Sequence, residues 1–564
     1  MRLKLFAGGS LLFVLAAVSL TVVLYGSALL PGASVQGKSN SSSTPIADNK
    51  IVRENALPGT ASWQIPQSKE ATVQIQAYAN ATSVAAGQKL SFYVSTQKEG
   101  IAYWISIYRL GWYNGYGGRL VATSSEQIGN AQGYYDENAH FLVNCTSCLV
   151  DASTGLVEAK WKVSYTVTVP SNWTTGVYLA KFTDANGMQT YTPFDVRDND
   201  KSTYIVATPD TTYAAYNDWG GYSLYEASNG LFSEGDTTAK GVKVSFDRPY
   251  TQEGGSSQVL VFEADAIHWF ERQGYDITYV SDIDLQQNPA LLINHRAYLS
   301  LGHDEYWSKE MRDELEQARN AGVGLAFLGA DVGYWQIRFE PDAAGTPDRT
   351  VVCYKVETAR NDLQLDPFYG KDNSRVTAPF RDPVINRPEN ALIGIMYDDL
   401  THRQQGFPWQ IGATTNSPLL RNTGLLQGQF YGCDIVGYEW DHIFNNGATP
   451  AGLQVIATSS TVNDSGVKTF SNTTYYIASS GALVFASGSI YWSEALDSYR
   501  LHVDPLCTNQ KPIVPGIQQL MIHIMADLPV LQRNQQLALA PAKPELPFAV
   551  VANEGVYGEE RNHA

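Results

Sequence analysis

Two hydrophobic periods divide this chain. From about Ala71 to Val196, apolar and polar residues alternate in short runs. Thr72–Tyr78, Leu90–Ser95, Tyr103–Tyr108, Lys162–Val169 and Tyr178–Phe182 each read as a strand, and turn signals such as Asn114-Gly115 and Gly117-Gly118 separate them. Many short strands with regular turns predict an immunoglobulin-like β-sandwich. From about Ser202 the pattern changes. Apolar strands at Tyr204–Ala207, Tyr275–Val280, Ala297–Leu301 and Gly324–Gly329 alternate with helical stretches at Val261–Gly274 and after Ser308. In the latter, Ser308 stands as N-cap, Met311, Leu315 and Ala318 share a face, and Gly322 follows the last turn. This alternation predicts a parallel sheet with helices on its faces. The expected fold class is therefore α/β plus all-β, with a sandwich at 65–200, an α/β domain at 201–535 and a tail at 536–564.

The N-terminus has a different pattern. Arg2 and Lys4 precede an uncharged, mostly apolar run from Leu5 to Leu30, 26 residues long. A secretory h-region needs only ~7–15 residues and a membrane-spanning helix ~20, which favours an uncleaved anchor within 1–36. The basic residues before the run place the N-terminus in the cytoplasm and the bulk outside; cleavage of the run as a leader would instead give a secreted chain. A polar linker, 37–64, follows, with a Ser-, Asn- and Thr-rich stretch from Gly37 to Asn49.

Composition narrows the function classes. The 564 residues carry 39 Lys+Arg against 56 Asp+Glu, a formal net charge of −17. An acidic chain without a basic stripe does not suit nucleic acid. The 33 Tyr and 12 Trp exclude a disordered polypeptide. Cys145 and Cys148 lie in an Asn-Cys-Thr-Ser-Cys loop with no second Cys pair, which outside the membrane reads as a local disulfide. Cys353, Cys433 and Cys507 stand singly, none at a strand-to-helix elbow that would mark a nucleophile.

Candidate chemistry gathers where apolar strands end. Gly302-His-Asp-Glu-Tyr-Trp307 and Ala330-Asp-Val-Gly-Tyr-Trp335 each directly follow a strand, and ligands of open α/β sheets bind beyond such ends. His303, Glu305 and Asp331 thus suit either a hard metal ion or acid–base work; alternatively Asp304 and Glu305 serve the N-terminal dipole of the helix after Ser308. Thr212–Tyr225, with Tyr213, Tyr216, Tyr222 and Tyr225 and a Gly220-Gly221 pair, reads as an aromatic loop over the same sheet end. A free phenol ionises near pH 10, so tyrosinate ligation at neutral pH needs a strong Lewis acid such as ferric iron.

Several segments in order resemble the C-terminal domain of the large (beta) subunit of N,N-dimethylformamidase: Ala215–Tyr225, Gly302–Ser308, Phe327–Trp335, Phe380–Pro383, Arg387–Glu389, Gly437–Asp441 and Phe485–Trp492. The likeness runs from Tyr204 to about Leu528, and Ile105–Gly115 resembles the sandwich that precedes this domain in related proteins. The resemblance implies a sheet like that of class I glutamine amidotransferases without their nucleophilic Cys. It implies one Fe(III) per chain held by Tyr216, Tyr225 and Glu305, with Tyr213 as the fallback for Tyr216. The implied reaction is amide hydrolysis, with His303 as proton carrier or orienter and Asp331 positioning water or substrate. Two departures stand out: Asp304 replaces a Pro, and Asp331 stands where the family enzyme has Asn. The expected partners are a small amide or cell-surface substrate and the membrane, with a homo-oligomer or a small accompanying subunit left open. Two other readings remain: a non-catalytic surface or polysaccharide-binding protein on the same fold, and a glycoside hydrolase pairing Glu305 with another carboxylate. If the N-terminal run is an anchor, the full chain stays in the membrane fraction and a chain starting near Lys38 is soluble; a free chain beginning beyond residue 30 would show a cleaved leader instead.

Overall fold

The computed structural model describes residues 48–198, 201–227, 240–401, 406–412, 416–497 and 513–530. The expected anchor and the tail 536–564 lie outside the described residues. Among those described, no helix is long and apolar enough to cross a membrane. The fold is mixed α/β with many sheets, and strands dominate.

The first region contains β1 (Ile75–Ala79), β2 (Ser83–Ala85), β3 (Lys89–Thr96), β4 (Ala102–Leu110), β5 (Gly118–Thr123), β6 (Tyr165–Thr168), β7 (Gly176–Asp184) and β8 (Gln189–Arg197). One sheet runs β1-β3-β6 and another β2-β8-β7-β4-β5. Ile75, Phe92 and Val94 from the first share a core with Ile105, Ile107, Phe182 and Phe194 from the second. The period-2 pattern explains the pairing: Tyr103, Ile105 and Ile107 of β4 are buried, whereas Trp104 is 38% exposed. Cys145 and Cys148 form the expected disulfide. Cys433, which stands singly in the sequence, is also disulfide-bonded, and Cys353 is free and buried.

The second region is built on β9 (Tyr204–Thr208), α1 (Asp210–Tyr216), α2 (Ala264–Arg272), β10 (Ile277–Ser281), α3 (Asp282–Gln287), β11 (Ala297–Gly302), α4 (Lys309–Ala321), β12 (Gly324–Gly329), β13 (Gln454–Val462), β14 (Lys468–Ile477), β15 (Leu483–Ala486) and α5 (Pro515–Asp527). Their sheet has the order β10-β9-β11-β12-β15-β14-β13. The first five strands in that order are parallel, β14 is antiparallel to β15, and β13 is antiparallel to β14. Both faces are covered. Tyr204, Val206, Leu299, Leu301, Ala326 and Leu328 join a core with α2 and α5. The intervening Ile205, Ala207, Tyr298, Leu325 and Phe327 join another with Met311, Leu315 and Ala318 of α4. Burial on both faces is why these strands read as continuous apolar runs rather than alternating ones.

Local signals explain the helix ends. The Ser308 hydroxyl accepts from the Met311 N–H, and Gly322 takes φ 96° after the last turn of α4. The apolar run starting at Val261 does not begin as an α-helix: a π-helical turn over Val259–Glu263 precedes α2.

Chain order sets the location of the crevice. β9 comes first, β10 packs on one side of it and β11 on the other, so the direction of winding reverses between β9 and β11. Ligands of doubly wound sheets bind at this switch point, beyond the carboxyl ends of the strands. The ends of β11 and β12 approach so closely there that a Cβ on Gly329 would lie 1.9 Å from the Gly302 carbonyl oxygen. Only glycine fits at 329.

A buried ion pair ties the two regions together. Arg109 of β4 makes a two-pronged contact with Glu271 of α2, at 2.7 and 2.8 Å, and both side chains are fully buried. Asn55 and Tyr279 donate to the same carboxylate at 2.8 and 3.0 Å. Removing either charge would leave the other buried and unpaired, which typically costs ~3–5 kcal/mol.

A second junction is protonic. The Thr208 hydroxyl lies 2.6 Å from Asp195 Oδ2 and 2.9 Å from Asp210 Oδ2. One hydroxyl hydrogen serves only one of them, so a carboxyl proton must complete the set. Burial pushes both acids up, Asp210 to about 7 and Asp195 well above the carboxylate range, with Asp210 adding to the shift at Asp195. A raised carboxyl pKa stabilises the folded chain fully below the unfolded value of ~3.9 and loses that contribution as pH rises through the folded value. Asp210→Asn is therefore expected to lose less unfolding free energy than the wild type between pH 5 and pH 7.5, measured by urea unfolding. Identical losses would show that Asp210 ionises normally.

Candidate functional site

Each group at the crevice is placed by its local fold. α1 leaves the end of β9 and carries Tyr213 and Tyr216, so Tyr216 stands on a helix rather than in the expected loop. Two threonines seat this helix on the end of β11: the Thr211 hydroxyl donates to the Tyr306 carbonyl at 2.7 Å, and Thr212 Oγ1 accepts from the Glu305 N–H at 3.0 Å. Beyond α1 the chain turns back through Gly220 and Gly221, both at φ 87°, and brings Tyr225 alongside. The Tyr216 and Tyr225 rings stack with centroids 4.4 Å apart. The segments after β11 and β12 are tied by Gly333 N–H to the Asp304 carbonyl (2.8 Å) and Trp335 N–H to the Glu305 carbonyl (3.1 Å).

Glu305 is the centre of the arrangement. Its carboxylate accepts from Tyr216 Oη at 2.8 Å and from Tyr225 Oη at 2.8 and 3.0 Å. Tyr306 Oη donates to Tyr225 Oη at 2.5 Å, extending the chain of hydroxyls. His303 Nε2 lies 3.3 Å from Glu305 Oε2 and 3.5 Å from Glu439 Oε2, while its Nδ1 faces Gln258 Oε1 at 3.1 Å. Lys355 Nζ sits 3.2 Å above the Tyr225 ring centroid. Glu305 is 2% exposed.

The electrostatics follow from this crowding. Burial raises the Glu305 carboxyl, but the neighbouring His303 and Lys355 outweigh it and hold Glu305 below its ordinary value. Burial lowers His303, yet Glu439 and Glu305 together lift it above the usual histidine range. Glu439 is raised to about 7, chiefly by burial, and Asp331 stands well above the carboxylate range through burial and repulsion from Glu305 and Glu439. Both phenols are pushed up by burial and by the Glu305 charge.

The structure brings together Tyr216, Tyr225, His303, Glu305 and Asp331. His303, Asp331 and Glu439 each direct a ligand atom into one spot, all within 4.8 Å of one another. Tyr213 turns away and donates to Glu263 at 2.8 Å. The helix-capping alternative for Asp304 and Glu305 is not what the structure shows: Ser308 caps α4, and Asp304 accepts from the Ser300 hydroxyl (2.6 Å) and Trp307 Nε1 (2.7 Å).

Sequence reasoning gave no role to Glu439, Lys355 or Gln258. Glu439 lies within the segment Gly437–Asp441 that carries part of the resemblance, and that was its only signal. Lys355 is placed by a backbone at φ 51°, which nothing in the neighbouring residues announces.

Two phenol oxygens and a carboxylate converging in a buried crevice form a hard donor set that suits a strongly Lewis-acidic ion. The His303 Nε2–Glu439 Oε2 contact next to it, at 3.5 Å, and the unpartnered Asp331 Oδ1 are equally in keeping with a site built around charge.

Comparison with known families gives a separate finding. The family model for N,N-dimethylformamidase beta subunit-like, C-terminal matches residues 104–508. The chain belongs to this family. The match covers the crevice and extends back into β4, well before the start of the α/β region. Membership in a dimethylformamidase-like family is consistent with amide hydrolysis at the family level. No curated protein matches the chain. Among solved structures with detectable likeness are the following. Two variants of a superoxide reductase (neelaredoxin) from Ignicoccus hospitalis are each 12% identical, with TM-scores of 0.12 and 0.13. They cover 22% and 25% of this chain and 77% and 93% of their own. A cycloisomaltooligosaccharide glucanotransferase from Paenibacillus sp. is 13% identical over 51% of this chain and 34% of its own, with a TM-score of 0.14. Such values carry no argument about fold or function.

Tyr213 has a structural role in this geometry. Tyr213→Phe should leave the buried Glu263 carboxyl without its donor and lower unfolding free energy by ~1–3 kcal/mol in urea, with the Tyr216–Tyr225–Glu305 cluster intact. An unchanged unfolding free energy in that variant would overturn the structural role of Tyr213.

Proposed function

We propose that this chain is an iron-dependent hydrolase of amide C–N bonds. The observation that carries the reading is the convergence of the Tyr216 and Tyr225 hydroxyls on the Glu305 carboxylate, at 2.8 Å each, at the switch point of the parallel sheet. These three residues would hold one Fe(III). When bound, the ion supplies Lewis-acid polarisation of the amide carbonyl and lowers the pKa of water.

The chain's own residues do the rest. His303 is held by Gln258 through Nδ1 and presents Nε2 between Glu305 and Glu439. There it orients the Glu305 carboxylate and, with Glu439, carries a proton from the attacking water to the leaving amine. Asp331 orients water or substrate from the β12 side. Lys355 and the rings of Tyr225, Tyr306 and Trp335 wall off the crevice and add positive charge near Glu305. We read the supporting regions as an immunoglobulin-like sandwich and a sheet like that of class I glutamine amidotransferases. The flavodoxin-type order of the parallel strands supports the second. The Cys145–Cys148 disulfide supports an extracytoplasmic location, where the N-terminal run would act as a single-pass anchor.

Tyrosinate bound to ferric iron gives a visible charge-transfer absorption. The iron-loaded chain should be coloured, hold about one iron and hydrolyse a simple tertiary amide such as N,N-dimethylformamide. Tyr225→Phe keeps the stacked ring and removes the donor oxygen. It is expected to bleach the band and lower turnover at least a hundredfold, with thermal unfolding changed only slightly. Retained iron, colour and turnover in Tyr225→Phe would contradict the assignment.

A further inference from the structure

Beside the tyrosine cluster lies a second set of donors that the hydrogen-bond network leaves open. Asp331 Oδ1 has no hydrogen-bond partner, and His303 Nε2 meets Glu305 Oε2 and Glu439 Oε2 only as long contacts, at 3.3 and 3.5 Å, that do not make well-aligned hydrogen bonds. His303, Glu439 and Asp331 are 0%, 3% and 5% exposed. Buried polar atoms are rarely left so, because each forfeits its hydration without compensation. Here the three residues each offer a ligand atom, all within 4.8 Å of one another. His303 and Asp331 follow the ends of β11 and β12, and Glu439 opens a later strand, Glu439–His442, so no single helix or loop turn explains their meeting.

The backbone holds the third donor in place. Asp331 adopts φ 55°, a left-handed conformation that costs a non-glycine residue energy, and its N–H donates to Asp441 Oδ1 at 2.8 Å. That bond fixes the peptide and leaves the side chain to the cluster. On the opposite side, Gln258 occupies His303 Nδ1 at 3.1 Å and so aims Nε2 at the two carboxylates. Metal-bound histidines commonly have their other ring nitrogen held in this way.

We infer that His303, Asp331 and Glu439 form a binding site for a divalent first-row transition ion, distinct from the Tyr216–Tyr225–Glu305 cluster and adjoining it through Glu305. One imidazole nitrogen and two carboxylate oxygens suit zinc, manganese or ferrous iron, and leave positions open for water. Tetrahedral donors ~2.1 Å from one ion lie ~3.4 Å apart, so side chains whose ligand atoms lie within 4.8 Å of one another close on an ion by rotamer adjustments of about an ångström. Glu305 Oε2, 3.3 Å from His303 Nε2, lies at the boundary of the two donor sets.

The site has a consequence for turnover. An ion there occupies the His303 and Glu439 atoms that would otherwise carry the proton. Divalent metal in excess therefore inhibits the hydrolase. This effect rests on the proposed hydrolytic function; binding of the ion does not.

The test titrates the full chain, stripped by chelator, with Zn(II) alone by calorimetry. The wild type should bind one Zn(II) at this site. Asp331→Asn and Glu439→Gln should each weaken it at least tenfold, while Tyr225→Phe stays within threefold of wild type. Both test variants are shaped to fold: Asn tolerates the left-handed backbone at 331 as well as Asp does, and Gln matches Glu in size. Circular dichroism of each confirms it. The ferric charge-transfer band is read in parallel. Zinc binding that depends on Asp331 and Glu439, without any such band, supports this site and removes the tyrosinate reading. A band lost in Tyr225→Phe, together with zinc affinity equal in wild type, Asp331→Asn and Glu439→Gln, keeps the tyrosinate reading and overturns this site. A wild type that binds no Zn(II) overturns it as well.

Discussion

The structure turns on one buried negative charge. Glu305 sits 2% exposed at the end of β11, where an unpaired carboxylate would cost several kcal/mol. Two phenols, an imidazole and the Lys355 ammonium surround it. Much of the fold serves to bring them there. β9 must lie beside β11 so that α1 hangs over the same edge. The Gly220–Gly221 turn must return Tyr225 to Tyr216. Gly329 must allow β12 to close on Gly302. The Arg109–Glu271 pair then ties the first region to α2 with a second, separately compensated buried charge.

A crowded acidic site has a characteristic consequence. Glu305, Asp331 and Glu439 are close enough that they do not all ionise freely without a compensating cation. The protein leaves Asp331 Oδ1 without a partner and gives His303 Nε2 only long contacts to Glu305 and Glu439. This is poor economy for stability alone. It makes sense for a place where charge is to be received, whether as a metal ion or as a proton in transit.

How much of this could be read from residues alone depended on how local the signal was. The parallel strands were legible because both their faces are buried, so they appear as unbroken apolar runs at Tyr204, Ala297 and Gly324. α4 was legible because Ser308 and Gly322 bracket an amphipathic stretch. The site was legible wherever chemistry sits directly after such a strand, as with His303, Glu305 and Asp331. It was less legible where a helix replaced an expected loop, as at Tyr216, because Thr211 and Thr212 favour α1 through contacts with Asp282, Tyr306 and Glu305 that are distant in sequence. Glu439 and Lys355 reach the crevice from far along the chain, and tertiary topology alone places them. The π-helical turn before α2 likewise left no pattern in the sequence.

The claim that two tyrosines and Glu305 hold a ferric ion is tested most directly by resonance Raman spectroscopy of the iron-loaded chain, excited within its visible absorption. The account predicts strong enhancement of tyrosinate ring vibrations, reduced in Tyr216→Phe and in Tyr225→Phe and unchanged in Tyr213→Phe. An iron-loaded protein without tyrosinate modes, or one whose modes vanish only in Tyr213→Phe, would contradict it.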